Sequence, residues 1–379
     1  MKLAICLFNY FPFGGLERDF MEISRECLKR GHFLDIFAMQ WEGEVPSGMN
    51  VTIIAASGMS NHKKVSRFTQ KLSSHLARSA YDLVVGFNRI PGLDIYYAAD
   101  VCYVKRITRQ RSFLSRLTPR YRLFSAYEKA IFSPESSTDI IYLAGQEKSN
   151  YQAAYGTPDE RFHYAPPGVD KQRIISFLGK QNRKKIRKEL KLAEDDHFLL
   201  MIGSNFHTKG VDRSIQALAL LPHHLKKSTY LFIIGNGDNE KYLALSKQLG
   251  AENHVRFLGG RDDVPRFLAG ADLLLQPSVT ENTGNAIVEA LVAGIPVLAT
   301  QTCGYAEHVI KAQAGKIISC NPFRQEQMNV LLIEMLTSPD RSRWRQNALA
   351  YAEQTDLYSR PVVVANLLEK IADSKRPFH

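Results

Sequence analysis

Short apolar runs alternate with longer amphipathic stretches along this 379-residue chain. Residues 3–8 are continuously apolar and stop before Pro12 and Gly14, which is the pattern of a strand buried on both faces. Residues 16–30 place apolar side chains at helical spacing and end at Gly31, so they predict a helix. Apolar runs at 34–38, 51–55, 82–87, 140–143 and 162–165 predict further strands, with a basic amphipathic stretch over 63–78. Pro166-Pro167-Gly168-Val169-Asp170 then interrupts the pattern, and a very basic helix is predicted over 182–192. The alternation restarts with strands at 198–203, 230–235, 255–258, 273–276, 296–299 and 316–318, closed by helices at 325–337 and 341–354. Strands alternating with helices of this length predict α/β architecture: doubly wound parallel sheets covered on both faces. The interruption divides the chain into two such Rossmann-like domains, 1–167 and 168–356. Ligands of these sheets bind outside the carboxyl ends of the strands, so the two domains are expected to face each other across a ligand-binding cleft.

Composition narrows the classes. The length exceeds a comfortable single core, which agrees with two domains. At 45% hydrophobic and 23% charged the chain has ordinary globular composition, and no apolar run approaches a bilayer span. Cys6, Cys27, Cys102, Cys303 and Cys320 are scattered without metal-ligand spacing, so they read as thiols in a reducing compartment, with no metal site expected. The first eight residues are too short for a secretory signal core, and the expected location is cytoplasmic. A net charge of +11 points to an anionic partner: nucleotide, nucleic acid or an acidic membrane surface.

The densest chemistry lies at 281–289. The run 271–278 predicts a buried strand stopped by Pro277, Gly284 permits a tight turn, and 286–293 has the spacing of a packed helix. The turn aims backbone N–H groups of Gly284, Asn285, Ala286 and Ile287 at an anion. Glu281 at the mouth of the turn and Glu289 inside the helix are unfavourable beside phosphate unless they accept hydrogen bonds from hydroxyls. The ligand so described carries both phosphate and sugar. Lys209, in Gly203-Ser204-Asn205-Phe206-His207-Thr208-Lys209-Gly210, again follows a strand and suits neutralisation of a departing diphosphate. In the first half, Gly14-Gly15 follows the first strand and opens a helix carrying Asp19, a candidate for a hydroxyl. Asp100 ends the apolar run 95–99, where a carboxylate suits general-base work. Between 103 and 132, Lys105, Arg106, Arg109, Arg111, Arg116, Arg120 and Arg122 interleave with Phe113, Leu114, Leu117, Tyr121 and Phe124 against the single acid Glu128. That pairing suits an anionic membrane surface or a phosphorylated acceptor. No nucleic-acid motif accompanies it, and no nucleic-acid partner is expected.

The segment 281–289, with 272–278 before it and Ala293-Gly294-Ile295-Pro296-Val297 after it, resembles the donor-sugar signature of retaining nucleotide-sugar glycosyltransferases of GT-B architecture, family 4. Tyr10-Phe11-Pro12-Phe13-Gly14-Gly15-Leu16, Val84-Val85-Gly86-Phe87-Asn88, Ala98-Ala99-Asp100-Val101-Cys102-Tyr103, Lys209-Gly210-Val211-Asp212 and Cys303-Gly304-Tyr305-Ala306 extend the likeness over nearly the whole chain. Within that family the chain is similar to the lipopolysaccharide core glucosyltransferases of Gram-negative bacteria. The resemblance implies transfer of α-glucose from UDP-glucose to an inner-core heptose of a lipid-linked acceptor, without a metal or other cofactor. It implies a peripheral position on the cytoplasmic face of the inner membrane, a Gly15 loop reaching the donor, and a tail from residue 357 crossing back onto the first domain. It also implies front-face attack with no covalent nucleophile. The family commonly has an arginine where this chain has Ser204, which leaves Arg173 and Arg261 as candidates for the second cation. Asn282-Thr283-Gly284-Asn285 replaces a smaller, more apolar stretch, so another UDP-hexose or N-acetylhexosamine donor, on another envelope glycolipid, stays open. A module that binds UDP-sugar without catalysis is the third class.

Overall fold

The run at the start of the chain forms β1 (Lys2–Cys6), and its side chains divide between two cores. Leu3 and Ile5 join one apolar cluster, Ala4 and Cys6 the other, so the four residues after Lys2 are all apolar because both faces are covered. Around it lie β2 (Phe33–Ala38), β3 (Met49–Ile53), β4 (Leu83–Gly86), β5 (Ile95–Ala98), β6 (Asp139–Tyr142) and β7 (Phe162–Tyr164). All pair in parallel, in the order β3-β2-β1-β4-β5-β6-β7. The run before Asp100 is itself the strand β5, inserted between β4 and β6. Its connection from β4 is an irregular segment turned by Pro91-Gly92, too short for a crossover helix, which is why helix–strand alternation did not reveal it. The helices that matter to function here are α1 (Gly15–Lys29), α2 (Tyr103–Gln110) and α3 (Pro119–Phe132). This computed structural model describes residues 1–12, 14–110 and 113–375, without the side chains of 109, 110 and 113. The expectations placed on Phe13, Arg111 and the Arg109 and Phe113 side chains therefore lie outside the described residues.

The second sheet repeats the logic. In β8 (His197–Ile202), Phe198 and Leu200 face one cluster while Leu199 and Met201 face another. With β9 (Thr229–Ile234), β10 (Val255–Phe257), β11 (Leu273–Gln276), β12 (Val297–Thr300) and β13 (Gly315–Ile318) it forms a parallel sheet ordered β10-β9-β8-β11-β12-β13. Its helices include α4 (Lys180–Glu189), α5 (Phe206–Lys209), α6 (Val211–Ala219), α7 (Asn285–Val292) and α8 (Arg341–Gln354).

In both sheets the first strand is central and the fourth pairs on its other side. Connections leave β1 and β4, or β8 and β11, in opposite directions, and the crevice they open at the strands' carboxyl ends is where doubly wound sheets hold ligands.

The chain then returns to the first sheet as α9 (Arg360–Lys375), which packs on α1. Val364, Ala365 and Leu368 enter the core that holds Leu3 and Ile5. Arg360, 1% exposed, donates to the Pro166 carbonyl at 2.9 Å and to Asp19 at 2.6 Å. The two compact units are thus Met1–Gly168 with the chain from Ser359 onward, and Val169–Tyr358. Among the described residues no helix is long and apolar enough to cross a membrane, and no group of three metal-ligating side chains converges.

Candidate active site

Lys209 leaves the loop after β8 and Glu281 the loop after β11, the two sides of the second unit's crevice, and their side chains form an ion pair. Glu281 Oε2 also accepts from Ser278 Oγ at 2.7 Å and Gln276 Nε2 at 2.9 Å. The carboxylate is largely buried. Burial alone would raise its pKa, but the Lys209 ammonium and these hydrogen bonds outweigh it and hold the group below the usual carboxylate range. Cys303 lies 3.8 Å from the same oxygen, and burial first, then the Glu281 charge, pushes its thiol up to about 12, so it serves as a neutral neighbour rather than a nucleophile.

The loops are built for this meeting. Asn205 caps α5, its side chain accepting from Thr208 N–H, and Thr208 in turn accepts from Val279 N–H at 2.8 Å, fastening the lysine loop to the exit of β11. The Lys209 side chain crosses directly over Gly203, whose φ is 143°; a Cβ there would stand 2.5 Å from Lys209 Cε. Only glycine leaves room for the lysine's path at that backbone angle. Gly284 (φ 96°) is the N-cap of α7, whose first turn presents the N–H groups of Asn285 and Ala286 without helical acceptors. Glu289 is buried in the next turn.

The two second-cation candidates meet at one loop. Arg261 is held bidentately by Asp263, at 2.6 and 2.9 Å, and Arg173 donates to the Asp262 carbonyl. Ser204, the residue replacing an arginine, accepts from Asn236 N–H at 3.0 Å, and the Asn236 side chain accepts from Gly260 N–H. Ser204 is thus a fastener between the loops after β8, β9 and β10.

In the first unit, α1 starts at Gly15. Asp19 is buried, accepting from the Tyr97 hydroxyl at 2.8 Å as well as from Arg360, so it anchors α9. Asp100 stands beyond the end of β5, half exposed, with Arg89 3.2 Å away. Arg89 also donates to Glu128, the lone acid of the basic segment, at 3.1 Å. Glu128 is fully buried and accepts from the backbone N–H groups of Tyr103 and Val104, at 2.7 and 3.1 Å, and from the Tyr155 hydroxyl at 2.8 Å. Outside this hub, Arg120 and Arg122 are exposed, Lys105, Arg106 and Arg116 half-buried, and Leu114 and Leu117 exposed at 71% and 56%. Gln276, Ser278 and Glu128 were not among the expected site residues. For the first two the available signal was two polar side chains ending an otherwise apolar strand.

The likeness to known proteins agrees with this geometry. Residues 182–351 match the model for glycosyl transferases group 1, and residues 13–173 match the model for glycosyltransferase family 4. The lipopolysaccharide glucosyltransferase WaaG of Escherichia coli K12 is 42% identical over 97% of this chain and 98% of its own. The chain belongs to glycosyltransferase family 4. A crystal structure of WaaG, a glycosyltransferase involved in lipopolysaccharide biosynthesis, superposes with a TM-score of 0.93 at 41% identity, covering 97% of this chain and 99% of that one. Anabaena HepE, solved with UDP and glucose, superposes at 0.75 with 18% identity over 99% and 100% of the two chains, and shares the fold. The family 4 chain described here therefore has the GT-B fold of two Rossmann-like α/β domains. It is a glycosyltransferase.

Proposed function

We propose that this enzyme transfers α-glucose from UDP-glucose to an inner-core heptose of lipopolysaccharide, with retention of configuration. The observation that carries the chemistry is the Lys209–Glu281 pair at the switch point of the second sheet. The full-length likeness to a lipopolysaccharide glucosyltransferase supports the choice of sugar and acceptor. In this reading the second unit holds the donor. Lys209 and the first turn of α7 take the diphosphate, while Glu281 aims Lys209, and Glu281 and Glu289 accept from sugar hydroxyls. Gly15 is proposed as a further donor contact and Arg173 as a further cation, while Asp19 is engaged by Arg360 and Arg261 by Asp263. The bond from the anomeric carbon to the diphosphate breaks, its electron pair leaving with UDP, and the acceptor oxygen bonds the same face. The acceptor's proton passes to Asp100 or to the departing phosphate.

A thermal-shift screen with UDP-glucose, UDP-galactose and UDP-N-acetylglucosamine tests the donor, since a ligand of the native state raises its stability with the logarithm of ligand excess. UDP-glucose should give the largest shift. A larger shift with another sugar would replace the substrate and keep the reaction class, an outcome that the polar 282–285 loop makes specific. The cations of α2, α3 and the turn between them, with the exposed Leu114 and Leu117, are assigned to the anionic inner-membrane surface, each cation near it contributing roughly 1 kcal/mol. Reversing Arg116, Arg120 and Arg122 to glutamate should abolish flotation with phosphatidylglycerol vesicles and leave UDP-glucose binding intact. Undiminished flotation would overturn the assignment.

A further inference from the structure

The opposite end of the second sheet carries a feature that sugar transfer does not use. Asp272 immediately precedes β11 and Pro296 precedes β12, so both lie at the amino ends of strands whose carboxyl ends lead to the Lys209–Glu281 site. There the chain leaves a cavity of about 390 Å³, walled by Asp272, Pro296, Ser338, Arg341, Ser342 and Arg345. That volume falls in the range of small-ligand sites.

Its charge is unbalanced. Asp272 is the carboxylate that four arginines surround. Arg183 and Arg187 reach it from α4 at 2.5 and 3.0 Å, which already satisfies both of its oxygens. Arg341, on the first turn of α8, stands 3.8 Å away, and Arg345 follows one turn on. The nearby Asp340 is turned to Arg343 at 3.0 Å. Among the described residues no hydrogen bond or ion pair holds Arg345. Burial, and then the neighbouring Arg183 cation, lower the Arg345 pKa by more than the Asp272 carboxylate restores it. Keeping like charges together around an open cavity opposes folding unless something neutralises them, and planar guanidinium forks match phosphate oxygens.

We propose that this cavity is an anion site for a phosphate or diphosphate group, with Arg341 and Arg345 donating to its oxygens and Ser338 and Ser342 lining its wall. The group is either free in solution or carried on a lipid headgroup, and it is separate from the donor's diphosphate, which belongs to the other end of the sheet. The site does not depend on which sugar the enzyme transfers.

Titration calorimetry with inorganic pyrophosphate, comparing the wild type with Arg345→Gln and with Arg341→Gln/Arg345→Gln, tests it. Pyrophosphate binding at the donor end is common to all three proteins, so the difference isolates this cavity. Each substitution should weaken one class of sites by about tenfold, the usual scale for losing a charge-assisted hydrogen-bond pair. Arg345 has no hydrogen-bond or ion-pair partner among the described residues, so Arg345→Gln should keep the wild-type transfer rate and melt at or slightly above the wild-type temperature, one repelling charge having been removed. A second arm uses phosphatidylglycerol vesicles: weaker vesicle binding by the double variant assigns the site to a lipid phosphate, and a loss confined to pyrophosphate assigns it to a soluble one. Isotherms and vesicle binding that are identical across the three proteins would overturn the proposal.

Discussion

Glu281→Ala is expected to lower the rate of sugar transfer by about 10³-fold or more, the scale seen when a preorganised electrostatic partner of the transition state is lost. Three effects act together. The carboxylate is the ion-pair partner of Lys209, so its removal frees the lysine from the position assigned to the leaving diphosphate. It leaves the Ser278 hydroxyl and the Gln276 amide without the acceptor they share. It also removes a proposed acceptor for sugar hydroxyls. Glu281→Gln keeps the shape and one acceptor but loses the charge, and should fall between alanine and wild type. Release of UDP in the presence of acceptor measures all three proteins. Wild-type turnover by Glu281→Ala would sink the site assignment and leave membership of the family untouched. The pair also leaves a signature in pH. Because the folded-state pKa of Glu281 is lowered, its contribution to stability is present above the usual carboxylate range and is lost as pH falls through the folded value. The alanine variant should therefore lose part of the wild type's destabilisation in acid.

The parts of this arrangement that sequence exposes are those that local pattern dictates. β1 and β8 are readable because strands covered on both faces are continuously apolar past their first residue, and Gly284 because a strand exit running into a helix needs a turn. Lys209 and Glu281 were each visible as a polar residue after such a strand. Their ion pair was not, because it depends on β8 and β11 being neighbours, and no local rule fixes which strands of a sheet pair. The same limit hid the second occupation of Asp19. Its position in α1 suggested a hydroxyl ligand, but its oxygen is taken by Arg360, which is 341 residues away in sequence and arrives with α9. Arg261 looked like a spare cation, yet Asp263, two residues on, occupies it with near-ideal bidentate geometry. β5 is an apolar run in the sequence, but the irregular link from β4 carries no helix, so the alternation gives no sign that this run is a separate strand.

Glu128 shows the same limit at its strongest, and its loss is expected to destabilise the fold severely. In sequence it is one acid among cations, with the appearance of a solvated charge on a basic face. In the fold it is fully buried, holding Arg89 and accepting from the N–H groups of Tyr103 and Val104 that open α2. Replacing it by alanine leaves a buried guanidinium with only Asp100 for an ionic partner, and leaves two helix-terminal donors and the Tyr155 hydroxyl without their acceptor. Breaking a buried pair by removing one side destabilises by about 3–5 kcal/mol. For a unit of this size that is a fall of roughly 6–20 °C in the melting midpoint. Glu128→Gln, which keeps one acceptor, should lose less. The local consequence is more specific than the global one. α2 is the first helix of the segment assigned to the membrane, so Glu128→Ala should also speed amide exchange over 103–110 and weaken binding to anionic vesicles, with every arginine still in place. A melting midpoint equal to the wild type's would show that the buried charge is dispensable. Normal exchange over 103–110 would show that α2 does not need its anchor.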